Sequence, residues 1–141
     1  MSELNAAVKE FFDGYETANA EFDVERIAAL YADVFMFGDP RSTQSIKKED
    51  FVRVLPRRKE FFKSVGLVSS KLDSLEVSQL DSKYVLVKAV WRMRFESSTR
   101  EPVDSQNSAT YILSAVSDSF QIVFQVDHQD LMKKVQDLGL E

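Results

Sequence analysis

The chain has 141 residues, 44% of them apolar and 29% charged, with a formal net charge of −5. That length suits one domain, expected over 1–141, and the acidic balance argues against nucleic acid, whose binding neutralises phosphates with Lys and Arg. With no cysteine and a single histidine, disulfides, thiolate nucleophiles and Cys- or multi-His metal centres are excluded.

From Leu4, the apolar residues Val8, Phe11, Phe12, Tyr15, Ala18 and Phe22 keep helical spacing along one stripe. Gly14 inside that helix predicts the close approach of another element. Asp23 is the expected N-cap of a second helix, flanked by Phe22 and Ile27 at staple positions and running through Leu30 and Tyr31. "VFMFGDP" then alternates as a short strand, with Phe35, Phe37 and Asp39 on one face. Ser45 is the expected cap of a third helix, with Glu49 and Asp50 in its first turn. Pro56 is expected to kink or restart it, and Gly66 to end it.

After Gly66 the period changes from 3.6 to 2. "LVSSKLDSLEVSQL" is a weak strand turned at Asp81-Ser82, and "KYVLVKAVWRMRF" is the clearest strand, with Val85, Val87, Ala89, Trp91, Met93 and Phe95 on one face. Residues 97–107 have the composition of an exposed loop. "SATYILSAV" and "FQIVFQV" are two more strands joined at "SDS". Asp127 is the expected cap of a short last helix, "HQDLMKKVQDL", ended by Gly139. Helices first and a meander afterwards make an α+β protein, with helices packed on one face of a curved sheet. No run approaches the ~18–20 apolar residues of a membrane span. "MSELNAAVKE" lacks the features of a signal peptide, so a cytoplasmic location and no membrane partner are expected.

The run "FDVERIAALYADVFMFGDP", within this order of elements, resembles the nuclear transport factor 2-like superfamily, its SnoaL-like and ketosteroid-isomerase-like branches in particular. The C-terminal "FQIVFQVDHQDL" is similar to the last strand of SnoaL-like domains, which often ends in a histidine. The resemblance implies a cystatin-like cone: N-terminal helices packed in a strongly curved antiparallel sheet, a short C-terminal helix, and a cavity open at one end. In the ketosteroid-isomerase-like branch a tyrosine on the first helix donates to the substrate oxygen, and the Asp of an Asp-Pro pair moves the proton. Tyr15 and Asp39 fall on those positions. A base and a phenol together can stabilise an enolate. That branch has a second donor, an acid on the third strand of the meander; here Thr110, Tyr111 and Ile112 stand in that stretch, so Tyr111 substitutes only if it faces inward.

Each candidate also has a plain structural role. Asp39 before a proline suits a turn, Tyr15 suits a core tyrosine, and His128, on one face with Phe120, Ile122, Phe124 and Val126, suits a buried structural histidine as well as an acid–base group. A cavity in the cone would make ligand contacts of Phe12, Phe35, Phe37, Leu55, Trp91, Met93 and Tyr111. Arg53, Arg57, Arg58 and Lys59 read as a solvated helix face, with Glu49 four residues before Arg53. Lys88, Arg92 and Arg94 share an outer sheet face with Tyr84, Leu86 and Val90, a surface suited to a homodimer. The expected function is binding of an apolar small molecule in the cone. If the chain is an enzyme, that means proton-transfer chemistry of the isomerase, cyclase or dehydratase type, with no metal and no cofactor. The alternative is a non-catalytic dimerisation or partner-binding module.

Overall fold

A computed structural model describes residues 2–116, 119–137 and 139. Helix α1 (Ser2–Glu21) buries Val8, Phe12 and Ala18, the stripe its spacing requires. Asp23 caps α2 (Val24–Ala29) by accepting from the Arg26 N–H at 3.2 Å. The helix stops at Leu30, one residue earlier than the pattern suggests, because Tyr31 already opens strand β1 (Tyr31–Gly38).

Ser45 does not cap a helix. It lies in β2 (Thr43–Lys47), which folds back antiparallel on β1 with Phe35 opposite Ile46. The hairpin wins because Asp39 builds its turn: Oδ1 accepts from the N–H groups of Arg41 at 2.8 Å and Ser42 at 3.1 Å. Helix α3 (Lys48–Ser64) follows and continues unbroken through Pro56. The ring lies on the exposed side, where water can take the carbonyl that lost its donor. Gly66 follows the helix with φ +89, as the C′ position demands.

Strands β3 (Leu67–Gln79), β4 (Tyr84–Ser97), β5 (Arg100–Ser114) and β6 (Gln121–Asp127) come next, then α4 (Leu131–Asp137). The sheet order is β2-β1-β6-β5-β4-β3, antiparallel throughout except for the parallel β1–β6 pair, so the sheet is mixed. Residues 97–107 are no loop: a turn at Ser98-Thr99 leads straight into β5. Composition hid this strand because two of its inward positions, Ser105 and Asn107, are polar. Of the expected "SDS" join, residues 117 and 118 lie outside the described residues. The last helix is preceded by Asp130, whose carboxylate accepts from the Lys133 N–H, while Asp127 belongs to β6.

The main core lies between the inner sheet face and helices α1 to α3, from Val8 and Phe12 across to Val87, Tyr111 and Ile122. A second cluster of Phe62, Val65, Met93, Phe95 and Val135 closes the end near α4. Among the described residues no helix is long and apolar enough to cross a membrane.

Two glycines have opposite expected behaviour. A side chain at Gly66 would be held at an unfavourable positive φ and would meet the Glu96 carbonyl, so Gly66→Ala should destabilise the fold by about 1–3 kcal/mol. No element approaches Gly14, contrary to expectation, so Gly14→Ala should stabilise it by about 0.5–1 kcal/mol. Urea titrations of both variants measure these shifts.

Candidate functional site

A cavity of about 390 Å³ opens between α1, α3 and the inner faces of β3 to β6. Exposed lining residues, among them Asn19, Lys59, Lys63, Val68 and Ser70, mark its mouth. Buried ones form its floor: Trp91 and Met93 from β4, Asn107, Ala109 and Tyr111 from β5, and Gln125 from β6.

Strand parity decides which side chains reach that floor. Across β4 and β5 the inward rows pair Val87 with Tyr111, Ala89 with Ala109, Trp91 with Asn107 and Met93 with Ser105. β6 reaches the same face through a bulge. Leu113 pairs with Ile122, but Ile112 pairs with Phe124, which leaves Val123 as an extra residue. A one-residue offset exchanges the two faces of a strand. Gln125 opposite Tyr111 and Asp127 opposite Ala109 therefore point inward, while Phe124 and Val126 point outward.

The polar end of the cavity is a connected set. The Tyr31 hydroxyl donates to Gln125 Oε1 at 2.7 Å, and Gln125 Nε2 donates to Asp127 Oδ1 at 3.1 Å. The Trp91 indole N–H donates to the Tyr111 oxygen at 3.1 Å. The Tyr15 phenol lies near those of Tyr31 and Tyr111, whose influence partly offsets the effect of burial on its pKa. Its ring lies 5.2 Å from Trp91 and 5.9 Å from Tyr111, with Phe12 behind them, 4.9 Å from Tyr111. Burial raises the pKa of all three tyrosines, so each remains a neutral donor around pH 7. Burial also raises Asp127, against the opposing hydrogen bond from Gln125 and the positive charge of Arg58, with the nearby Asp39 pushing the same way as burial. Among the described residues no group of three His, Cys, Asp or Glu side chains converges to hold a metal ion.

Of the residues singled out from sequence, Tyr15, Leu55, Trp91, Met93 and Tyr111 line the cavity. Tyr111 faces inward, the condition for it to serve as a second donor. Phe12 is fully buried one layer behind the wall. Phe35 is not in the lining; it packs in the core 4.6 Å from Tyr31 and 5.3 Å from Phe51, and Phe37 also stays outside the lining. Asp39 does not line the cavity either. Its carboxylate is spent on the hairpin turn and faces Arg41 at 3.8 Å. His128 is exposed on the outer face, 2.7 Å from Thr110 Oγ1, because the Val123 bulge turned it outward. Arg53 pairs with Asp50 and not Glu49, whereas Arg58 and Lys59 line the cavity. Asp127, Gln125, Asn107 and Phe62 were not anticipated. The usable signal was Gln125, a polar residue inside an apolar strand; Asn107 stands among polar neighbours and offered none.

Helices enclosed by a six-stranded sheet, with a cavity floored by the inner sheet face, define the cystatin-like α+β architecture of the NTF2-like proteins. A family model described as NTF2-like protein (DUF6841) matches residues 2–130, and the chain belongs to that family. No match was found among curated protein sequences. Among solved structures, Aln2 from a Streptomyces species is similar with a TM-score of 0.77 at 15% identity, covering 96% of this chain and 97% of that one. A scytalone dehydratase-like protein from Novosphingobium aromaticivorans gives 0.72 at 14% identity, with 90% and 87% covered. A ketosteroid isomerase-like protein from Erwinia carotovora atroseptica gives 0.65 at 15%, with 89% and 95% covered. At such identities the likeness shows the fold.

The raised pKa of Asp127 has a stability consequence. Folded protein holds this proton more tightly than unfolded protein, so the group's contribution is complete below about pH 4 and is lost as pH rises through the raised value. Asp127→Asn removes that loss and can still accept from Gln125. The Tm of the variant minus that of the wild type should therefore be small at acid pH and grow more positive towards neutrality, as read by calorimetry across the range.

Proposed function

We propose that the chain binds an apolar small molecule carrying a carbonyl or hydroxyl oxygen, with the oxygen at the tyrosine end of the cavity, and moves a proton on it. The observation that supports this most is the meeting of neutral phenol donors, Tyr15 and Tyr111, with the desolvated carboxylate of Asp127 in one cavity. At about 390 Å³ the cavity falls within the usual ~300–1,000 Å³ of small-ligand pockets. Trp91, Met93 and Leu55 supply apolar walls. The ionised Asp127 would take a proton from the carbon next to a carbonyl, and the phenols would hold the enolate oxygen that forms. Return of the proton to another carbon would be an isomerisation, and its delivery to a β-hydroxyl that leaves as water while the C=C bond forms would be a dehydration. Solved relatives described as ketosteroid isomerase-like and scytalone dehydratase-like fit this class. Asp127 thus takes the role that the sequence offered to Asp39.

A homodimer is a compatible second proposal. Cross-strand partners Leu86, Ile112, Phe124 and Met36 form a half-buried apolar row on the outer sheet face, beside Tyr84, which is 37% exposed. Light scattering should give twice the chain mass for the wild type, and the monomer for Ile112→Glu; a monomeric wild type removes the dimer.

Trp91 is the single tryptophan and lines the cavity, so its fluorescence reports occupancy. Titration with an apolar cyclic ketone such as 2-tetralone should quench it saturably. Tyr15→Phe should weaken that binding by up to about tenfold, the worth of one hydrogen bond. In D2O the wild type should exchange the ketone's α-protons faster than buffer does, and Asp127→Asn should bind the ketone without accelerating exchange. Absence of saturable quenching removes the ligand-binding role; binding with exchange no faster than buffer removes the proton transfer.

A further inference from the structure

Three cations from one stretch of α3, Arg58, Lys59 and Lys63, line the same cavity. Arg58 stands with its guanidinium carbon 5.1 Å from the ring centre of Phe62, and Lys59 holds its ammonium 4.5 Å from that of Phe22. Both rings are cavity walls, so the charges are stationed on the apolar lining by cation–π attraction. None of the three side chains has a hydrogen bond or ion pair among the described residues. Arg26, Arg41, Arg53, Arg92 and Arg94 each face an acid within 4 Å, whereas exposed Arg57, Lys71 and Lys88 have no ion pair among the described residues but lie outside the cavity lining.

The acids of the lining form no ion pair with this group, although Asp127 feels the charge of Arg58. Glu16 is committed to the Leu72 N–H, which it accepts at 2.6 Å, and Asp127 belongs to the polar floor with Gln125. The negative end of the α3 dipole accounts for a cation in the last turn, which is Lys63, and leaves Arg58 and Lys59 without that explanation. In a protein of net charge −5, an unpaired cationic wall over an apolar cavity is a place for an anion. That same helix end offers no free backbone N–H groups, the usual cradle of a phosphate dianion, so a singly charged carboxylate fits it better.

We propose that the ligand is an apolar organic acid, its carboxylate held at the mouth by Arg58, Lys59 and Lys63 and its second oxygen function at the tyrosine floor. This deepens the reading above and rests on the cavity being a small-molecule site. A keto or hydroxy acid would then be held at both ends, which fixes the carbon next to the inner oxygen relative to Asp127.

The test compares a carboxylate with its uncharged isostere. 6-Hydroxy-2-naphthoate and 6-hydroxy-2-naphthamide are titrated by calorimetry into the wild type and into a variant with Arg58→Gln, Lys59→Gln and Lys63→Gln together. The acid should bind the wild type about tenfold or more tightly than the amide, as a charge-assisted contact predicts. In the variant that preference should vanish while amide affinity stays, which shows that the cavity is intact. Equal binding of acid and amide to the wild type overturns the anion proposal and leaves the cavity role standing. A preference that survives in the variant overturns it too, by locating the anion elsewhere. If neither compound binds, the small-molecule role falls and the anion proposal falls with it.

Discussion

The extra residue in β6, Val123, is the constraint on which the polar lining of the cavity depends. Before it, Ile122 points into the core opposite Leu113; after it, the odd-numbered residues point inward. Without the bulge the strand would present Phe124, Val126 and His128 to the cavity and turn Gln125 and Asp127 out to solvent. With it, the inner face ends in a glutamine and a carboxylate, and the outer face receives the phenylalanine and the histidine. The parallel pairing with β1 completes the arrangement. It brings Tyr31 close enough to donate to Gln125, a buried bond between residues 94 positions apart.

The polar end costs the fold something. Asn107 Oδ1 in the cavity lining and Ser105 Oγ just beyond it, both in the inward row of β5, are buried without a partner. Buried polar groups left unpaired cost about 1–3 kcal/mol each, and a carboxylate held away from water adds its own penalty. The opposite end of the inner face, with Val85, Val87 and Leu113, is apolar and almost completely buried. Apolar packing thus flanks the cavity on both sides, at Val85, Val87 and Leu113 and at Phe95, Val65 and Val135, and the polar groups lie between. Local departures from good packing and pairing of this kind are where function is usually found.

Charge follows the same division. Burial keeps the floor tyrosines neutral and disfavours the charge on Asp127, while the cationic side chains of α3 stand exposed at the mouth. A ligand entering past Lys59 and Lys63 would meet positive charge first and hydrogen-bond donors last. The outer face has the opposite character: Arg92 and Arg94 are matched by Asp73, Glu96 and Asp104, so little unbalanced charge remains among them.

Much of the architecture was legible along the chain. The helical stripe of α1, the Asp23 cap, the helix end at Gly66 and the alternation of β4 are local features, set by backbone geometry within a few residues. The tyrosine of α1 and the inward row Trp91 and Met93 followed from the same periodicities, and they do line the cavity. What was misjudged depended on partners far away in sequence. Asp39 looked the same as a base and as a turn former until β2 folded back on β1. Residues 100–107 looked like a loop because their inward positions are polar, and only pairing with β4 makes them a strand. His128 and Asp127 exchanged places because one bulge, invisible to a period of two, inverted the strand that carries them. The sequence by itself therefore determined the class of fold and most of the elements, since those rest on local periodicity and capping, but not β2 or the first half of β5. Which carboxylate enters the cavity was decided only by tertiary structure, because strand register is a property of the pair and not of either strand alone.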